Sequence, residues 1–142
     1  MNKGLASVPS WLRWLLFAPS AVLALLITLL VYEVFYWFEQ LLPFGWWLDH
    51  IFLNPAAFST ATAVFIIVGA EVAPPAGRKI VGLLLAVIPV IVAVMNIYIR
   101  IQGVQDPQWP LWHMTLDLIG LAIGVYLGVS YVLTQPQADA LT

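Results

Sequence analysis

The hydrophobic pattern of this chain consists of four long apolar runs separated by short polar gaps. The runs cover 12–32, 55–73, 80–101 and 111–133, and each is a near-continuous series of Leu, Ile, Val, Ala and Phe. A helix needs about 20 apolar residues to cross a hydrocarbon core of about 30 Å. Backbone groups in lipid must be hydrogen bonded within their own segment, so we expect all four runs to be helices. The pattern predicts an all-α integral membrane protein with four transmembrane helices in an antiparallel bundle.

The segment 39–54, between the first two runs, is too apolar for a free loop. We expect it to form a short amphipathic helix lying flat at the membrane interface, with Asp49, His50 and Asn54 turned toward water. Asn is a favoured N-cap residue and Pro fits the first position of a helix. The pair Asn54 and Pro55 therefore predicts a defined start for the second transmembrane helix.

Composition supports a membrane protein with one domain. The chain is 63% hydrophobic and 8% charged, whereas a soluble domain carries about 25% charged residues. Its 142 residues accommodate four spans and little else. Because no repeat or linker divides the chain, we predict a single membrane domain over 1–142 that ends in a short tail over 134–142.

Basic residues are distributed unevenly among the gaps. Four of the five lie near the start of the first run or between the second and third runs, and they are Lys3, Arg13, Arg78 and Lys79. Both histidines and most carboxylates lie at the other gaps. Because short basic loops stay in the cytoplasm, we expect both termini to be cytoplasmic, and a bacterial inner membrane suits this bias. Glu71 is expected to pair with Arg78 or Lys79.

The fourth run carries a stripe of polar residues and glycines on one helical face. Its members are spaced 4, 3, 4, 4 and 3 residues apart, and they are His113, Asp117, Gly120, Gly124, Gly128 and Tyr131. These positions share an arc of roughly 80°. Glycines at every fourth position let another helix approach closely. We expect this ridge to pack within the chain, with self-association as the alternative.

The third run brings a second set of polar residues to a similar depth. Pro89 lacks a backbone N–H and predicts a kink in this helix. Asn96 and Arg100 lie one turn apart toward the outer end, where we expect them to face Asp117 and His113. A lone carboxylate in lipid is costly. The predicted cluster is therefore either a polar clamp that fixes helix register or a site for a proton, an ion or a ligand.

The remaining candidate residues are Glu33, Asp49 and His50, which form an acidic and histidine group on the outer side. Glu33 closes the first run, and we expect its carboxylate to be solvated. His113 and Asp117 have the spacing that aims two ligands at one point, and with His50 they permit a metal site. Because two histidines without a metal-binding motif are a weak signal, we predict no metal and no cofactor.

The residues present argue against several classes of activity. The chain has no cysteine, no GxSxG motif and no phosphate-binding glycine loop, so we predict that it is not an enzyme. A pI of 5.4 argues against nucleic-acid binding.

Seven Trp, seven Phe and five Tyr exceed what a small core can bury, and this excess suggests contacts with lipid or with partner helices. We predict a non-catalytic subunit that scaffolds or helps assemble a larger membrane protein complex through aromatic and glycine-rich helix faces. Its partners would be the lipid bilayer and other membrane subunits or a second copy. The alternative is a small oligomeric transporter or channel that uses Asn96, Arg100, His113 and Asp117.

Overall fold

Four long helices dominate the computed structural model, which describes residues 8–102 and 111–135. They are α1 (Ser10–Glu39), α3 (Asn54–Val72), α4 (Arg78–Ile101) and α5 (Leu111–Thr134). A four-residue helix, α2 (Gly45–Leu48), and a π-helical turn (Asp49–Leu53) precede α3, and a 3-10 turn (Pro75–Gly77) precedes α4. Each long helix is apolar and long enough to cross a membrane. No strand occurs in the described residues. Lys3 and most of the tail 134–142 lie outside the described residues.

Helix α1 is longer than the apolar run that predicted it. It has 30 residues and so extends about 45 Å, at about 1.5 Å per residue. We expected the first helix to end at Glu33. It continues to Glu39 because residues 34–38 include no glycine or proline that would stop it. Glu33 therefore lies inside the helix, where it is exposed.

The segment before α3 continues directly into α3, and the predicted cap at Asn54 is wrong. Helix α2, the π turn and α3 follow one another without interruption, and Asn54 has helical dihedral angles. Its N–H donates to the carbonyl oxygen of Asp49, five residues earlier. A π turn is wider than an α turn, which makes room for the Pro55 ring beside the preceding carbonyl groups. The helix can thus run through the proline.

Helix α3 is the central element and packs against α1, α4 and α5. Around its C-terminal half lies a small core rich in alanine, formed by Ala21, Phe65, Ile66, Ala70, Ala73, Val81, Leu85, Ala86 and Val132. Gly69 lies where α1 and α4 both reach α3, because a Cβ atom there would meet Ala21 and overlap Leu85. Small residues therefore let three helices approach one another at this level.

The glycine ridge of α5 lies against α3. Each ridge glycine faces a different α3 residue, and the pairs are Gly120 with Pro55, Gly124 with Ser59, and Gly128 with Ile66. A Cβ atom at Gly128 would lie 2.9 Å from the Ile66 Cβ atom, which leaves no space for a larger side chain. Pro89 is buried in α4, which continues as one helix through it.

Candidate functional site

The polar residues of the last two helices do not form one group. Asn96, Arg100 and Asp117 line a cavity of about 120 Å³, together with the apolar residues Phe58, Met114, Leu118 and Leu121. We call these seven residues the Asp117 cavity. His113 does not line it. It lies one turn beyond Asp117, about 6 Å along the axis of α5, at the level of the π turn rather than of α4.

His113 instead belongs to an acidic and histidine cluster, which we define as Glu39, Asp49, His50 and His113. The His50 Nδ1 atom lies 3.2 Å from Asp49 Oδ2. The His50 and His113 ring centroids are 4.3 Å apart, and the Trp112 ring packs edge-on against His113. His113 is only 2% exposed. The π turn is what brings Asp49 and His50 to α5, because it continues α3 past Pro55.

Glu39, which the sequence analysis did not select, is the most deeply buried carboxylate among the described residues, at 8% exposure. It ends α1, and the following residues fold back over it. The Leu42 N–H donates to the Glu39 carbonyl oxygen at 2.8 Å. A Cβ atom at Gly45 would lie 3.1 Å from Glu39 Cγ and would overlap the Glu39 carbonyl oxygen. Gly45 is the sequence feature that could have indicated the burial of Glu39, because a glycine shortly after a helix end permits such close approach.

Glu39 also lines a second cavity, of about 250 Å³, with Tyr36, Gln40, Asp49 and Asn54. We call these five residues the Glu39 cavity. The Tyr36 hydroxyl donates a 2.7 Å hydrogen bond to Asn54 Oδ1. Glu39 Oε2 and Asp49 Oδ1 are buried and have no hydrogen-bond partner among the described residues. Buried polar atoms normally have partners, so this oxygen-rich cavity is chemically unusual.

The other end of α3 is held by Arg13. Its guanidinium donates to three consecutive carbonyl oxygens, those of Glu71 at 3.2 Å, Val72 at 3.0 Å and Ala73 at 2.7 Å. The last carbonyl groups of a helix have no partner within the helix. Arg13 therefore caps α3 from α1 and places a positive charge at the negative end of the helix dipole.

Glu71 pairs with Arg78, which confirms one of the two partners expected from the sequence. The Tyr131 hydroxyl of α5 donates to Glu71 Oε1 at 3.0 Å, and the Arg78 guanidinium lies 6.0 Å from the Tyr131 ring centroid. We call Arg13, Glu71, Arg78 and Tyr131 the Glu71 cluster. It links α1, α3, α4 and α5.

His50, His113 and Asp117, which the sequence permits as metal ligands, do not line a common cavity. Within 8–102 and 111–135, no group of three or more His, Cys, Asp or Glu side chains is placed to hold a metal ion. Asp117 lies within electrostatic range of His50 and Asp49 as well as Arg100, so the two cavities are neighbours. Glu33 lines neither of them.

Comparisons with protein-family models, with curated proteins and with solved structures found no match for this chain. Its function must therefore be argued from its own helices, cavities and exposed faces.

Proposed function

We propose that this protein is a non-catalytic, multi-pass membrane subunit that helps assemble or scaffold a larger membrane protein complex. The observation that carries the proposal is the exposure of α1. In the most apolar 18-residue stretch of each spanning region, the buried share is 6% for α1 and between 22% and 33% for the other three. Helix α1 is thus attached to the other helices along one narrow side.

The length and side chains of α1 also support a partner contact. At about 45 Å it exceeds the hydrocarbon core by about 15 Å. Its last part carries large exposed aromatic residues, Phe35, Trp37 and Phe38. Aromatic residues are enriched where membrane helices meet partners and where they meet the interface. Because the glycine ridge of α5 already packs on α3, we assign the partner contact to α1.

The proposed arrangement in the membrane is an antiparallel bundle with both termini in the cytoplasm of a bacterial cell. Its support is the distribution of charge. Arg13, Arg78 and Lys79 lie with Glu71 at one end of α3, whereas the carboxylates of Glu39 and Asp49 lie at the other. Short basic segments remain on the cytoplasmic side. Cysteine accessibility, measured with a membrane-impermeant reagent at an introduced residue in 40–44 and another in 74–77, tests this orientation.

Photocrosslinking from α1 tests the assembly proposal. A photoreactive amino acid at Leu30, which is 68% exposed on α1, is matched by one at Leu84, which is 62% exposed on α4. We expect Leu30 to give a crosslinked product of defined mass with another membrane protein and Leu84 to label lipid. Native mass measurement after mild detergent extraction should then find a heteromeric complex. A protein that is monomeric and crosslinks only to lipid would contradict the proposal.

The Asp117 cavity supports a second candidate, a small oligomeric transporter or channel. Asp117, Arg100 and Asn96 gather at a cavity among three helices, and ionisable residues inside a membrane bundle are functional candidates. Asp117→Asn separates the two functions. It should abolish ion-coupled transport in vesicles if the protein is a transporter, and it should leave incorporation into a complex unchanged if the protein is an assembly subunit. A homodimer or homotetramer in mild detergent would favour transport.

A further inference from the structure

We propose that the Glu39 cavity binds a divalent cation that prefers oxygen ligands, namely Ca²⁺. The site would use the carboxylates of Glu39 and Asp49, with amide oxygens nearby. This inference does not rest on the assembly function, because a subunit, a channel or a transporter could each carry such an ion.

Two carboxylate oxygens in the Glu39 cavity lack hydrogen-bond partners in the described part of the chain. Glu39 Oε2 and Asp49 Oδ1 are both buried without a hydrogen-bond partner in the described part of the chain, and both residues line the same cavity. A buried carboxylate that lacks hydrogen bonds loses its hydration without compensation. A cation between the two oxygens would supply that compensation. His50 contacts the other oxygen of Asp49 and leaves Oδ1 available.

The side chains that line the Glu39 cavity offer oxygen ligands to a cation. Apart from the two carboxylates, the cavity is lined by Gln40, Asn54 and Tyr36, so every side-chain donor atom that could bind a cation there is an oxygen. Ca²⁺ takes six to eight oxygen ligands from carboxylates, amide carbonyls and water in irregular geometry. Mg²⁺ demands a near-ideal octahedron, and Zn²⁺ prefers nitrogen and sulfur.

The Glu39 cavity is large enough for a hydrated ion. The cavity volume of about 250 Å³ exceeds that of a bare ion and accommodates coordinating waters, each with a share of liquid volume of about 30 Å³. Two carboxylates and two amides supply fewer than the usual number of Ca²⁺ ligands, and water would supply the others. Within 8–102 and 111–135 no third acidic or histidine side chain lines the cavity, a set of ligands that suits Ca²⁺ better than a transition metal.

Direct binding by the purified full-length protein tests the proposal. Nanodiscs of zwitterionic lipid avoid Ca²⁺ binding by anionic headgroups, and flow dialysis with radioactive Ca²⁺ gives affinity and stoichiometry. We expect saturable binding of about one ion per chain, weakened about tenfold or more in Glu39→Gln and Asp49→Asn because ligand charge sets affinity. Glu33→Gln is the matched control, since it removes an exposed carboxylate from the same helix, and it should bind as the wild type does.

Several outcomes would overturn the proposal. They are a wild type without saturable Ca²⁺ binding, equal binding by Glu39→Gln and Glu33→Gln, and binding of Zn²⁺ in place of Ca²⁺. If a variant fails to fold, wild-type thermal unfolding decides the matter, because a ligand that binds the folded state stabilises it. An unfolding temperature that rises with Ca²⁺ and falls again with EDTA supports the site, and one that does not respond to Ca²⁺ overturns it.

Discussion

The Glu71 cluster and the Glu39 cavity lie at opposite ends of α3, and they surround a carboxylate in contrasting ways. Glu71 has the Arg78 guanidinium and the Tyr131 hydroxyl as partners. Glu39 is more deeply buried and shares its cavity with a second carboxylate, and no Lys or Arg from the described part of the chain lines that cavity. The first end places a cation beside its carboxylate, whereas the partner that we propose for Glu39 is a bound cation from outside the chain.

This difference separates structural from binding roles. A carboxylate with partners from two other helices fixes those helices relative to one another, and removing a partner weakens the fold. A buried carboxylate without partners destabilises the folded state unless a ligand binds it. The two ends should therefore respond in opposite ways to loss of charge. Four predictions test this contrast, in order of decreasing expected effect.

Arg13→Ala should have the largest effect because it removes all three hydrogen bonds to the end of α3. Hydrogen bonds to charged groups contribute about 1.5–3 kcal/mol each, and the free carbonyls can recover part of this from water. We expect a loss of about 3 kcal/mol in the free energy of unfolding, measured by titration with a denaturing detergent. Arg13→Lys is the control: it keeps the charge but not the fork of donors, so it should lose less. Equal stability of all three proteins would show that Arg13 does not cap α3.

Gly45→Ala should disturb the Glu39 end without changing any charge. The added methyl group would overlap the Glu39 carbonyl oxygen, so the turn over Glu39 must move. We expect a loss of about 2 kcal/mol, within the range for overpacking a tight contact. Thermal unfolding measures it. Ala76→Ser adds one atom at an exposed position in the turn at the other end and should change little. If the two variants behave alike, close packing against Glu39 is not important for stability.

Replacing each carboxylate by its amide compares the two ends directly. Glu71→Gln removes the ion pair with Arg78 and should lower the free energy of unfolding by about 1 kcal/mol, a modest value because Glu71 is partly exposed. Glu39→Gln, measured in EDTA, should leave stability unchanged or raise it by about 1 kcal/mol because it removes a buried charge without partners. Thermal unfolding of both variants, measured in parallel, gives the direction of each stability change. Destabilisation of similar size in both would contradict the predicted difference between the two ends.

The four helices could be predicted from the sequence because each is a long apolar run. Both observed ends of α3 and α4 and the last residue of α5 lie within two residues of the predicted positions. The end of α1 could not be predicted in this way. Hydropathy shows where a chain becomes polar, whereas a helix ends at residues that disfavour helical structure. Glu33 is polar but breaks nothing, so the helix continues to Glu39.

The site was less predictable than the fold. Asn96, Arg100 and Asp117, which helical spacing aligned on two neighbouring helices, line one cavity. The position of His113 depends instead on the π turn, which brings His50 to it. Sequence patterns assume regular α geometry and an N-cap at Asn54, so the approach of Asp49 and His50 to α5 could not be anticipated. Burial of Glu39 depends on the same local geometry.

Tyr36→Phe should have an effect no larger than that of the amide substitutions, and it tests whether the Glu39 cavity has a fixed shape. The Tyr36 hydroxyl donates at 2.7 Å to Asn54, which ties the end of α1 to the start of α3. Loss of one such hydrogen bond costs about 1 kcal/mol. Tyr32→Phe, one turn earlier on α1, is the control. The Tyr32 hydroxyl makes an exposed hydrogen bond of 3.1 Å with Thr60 of α3, so its loss should cost less. The ratio of the two losses, measured by detergent unfolding, tests this bond. If Tyr36→Phe is the milder of the two, the cavity wall adjusts freely, and its two carboxylates are not held in place for a ligand.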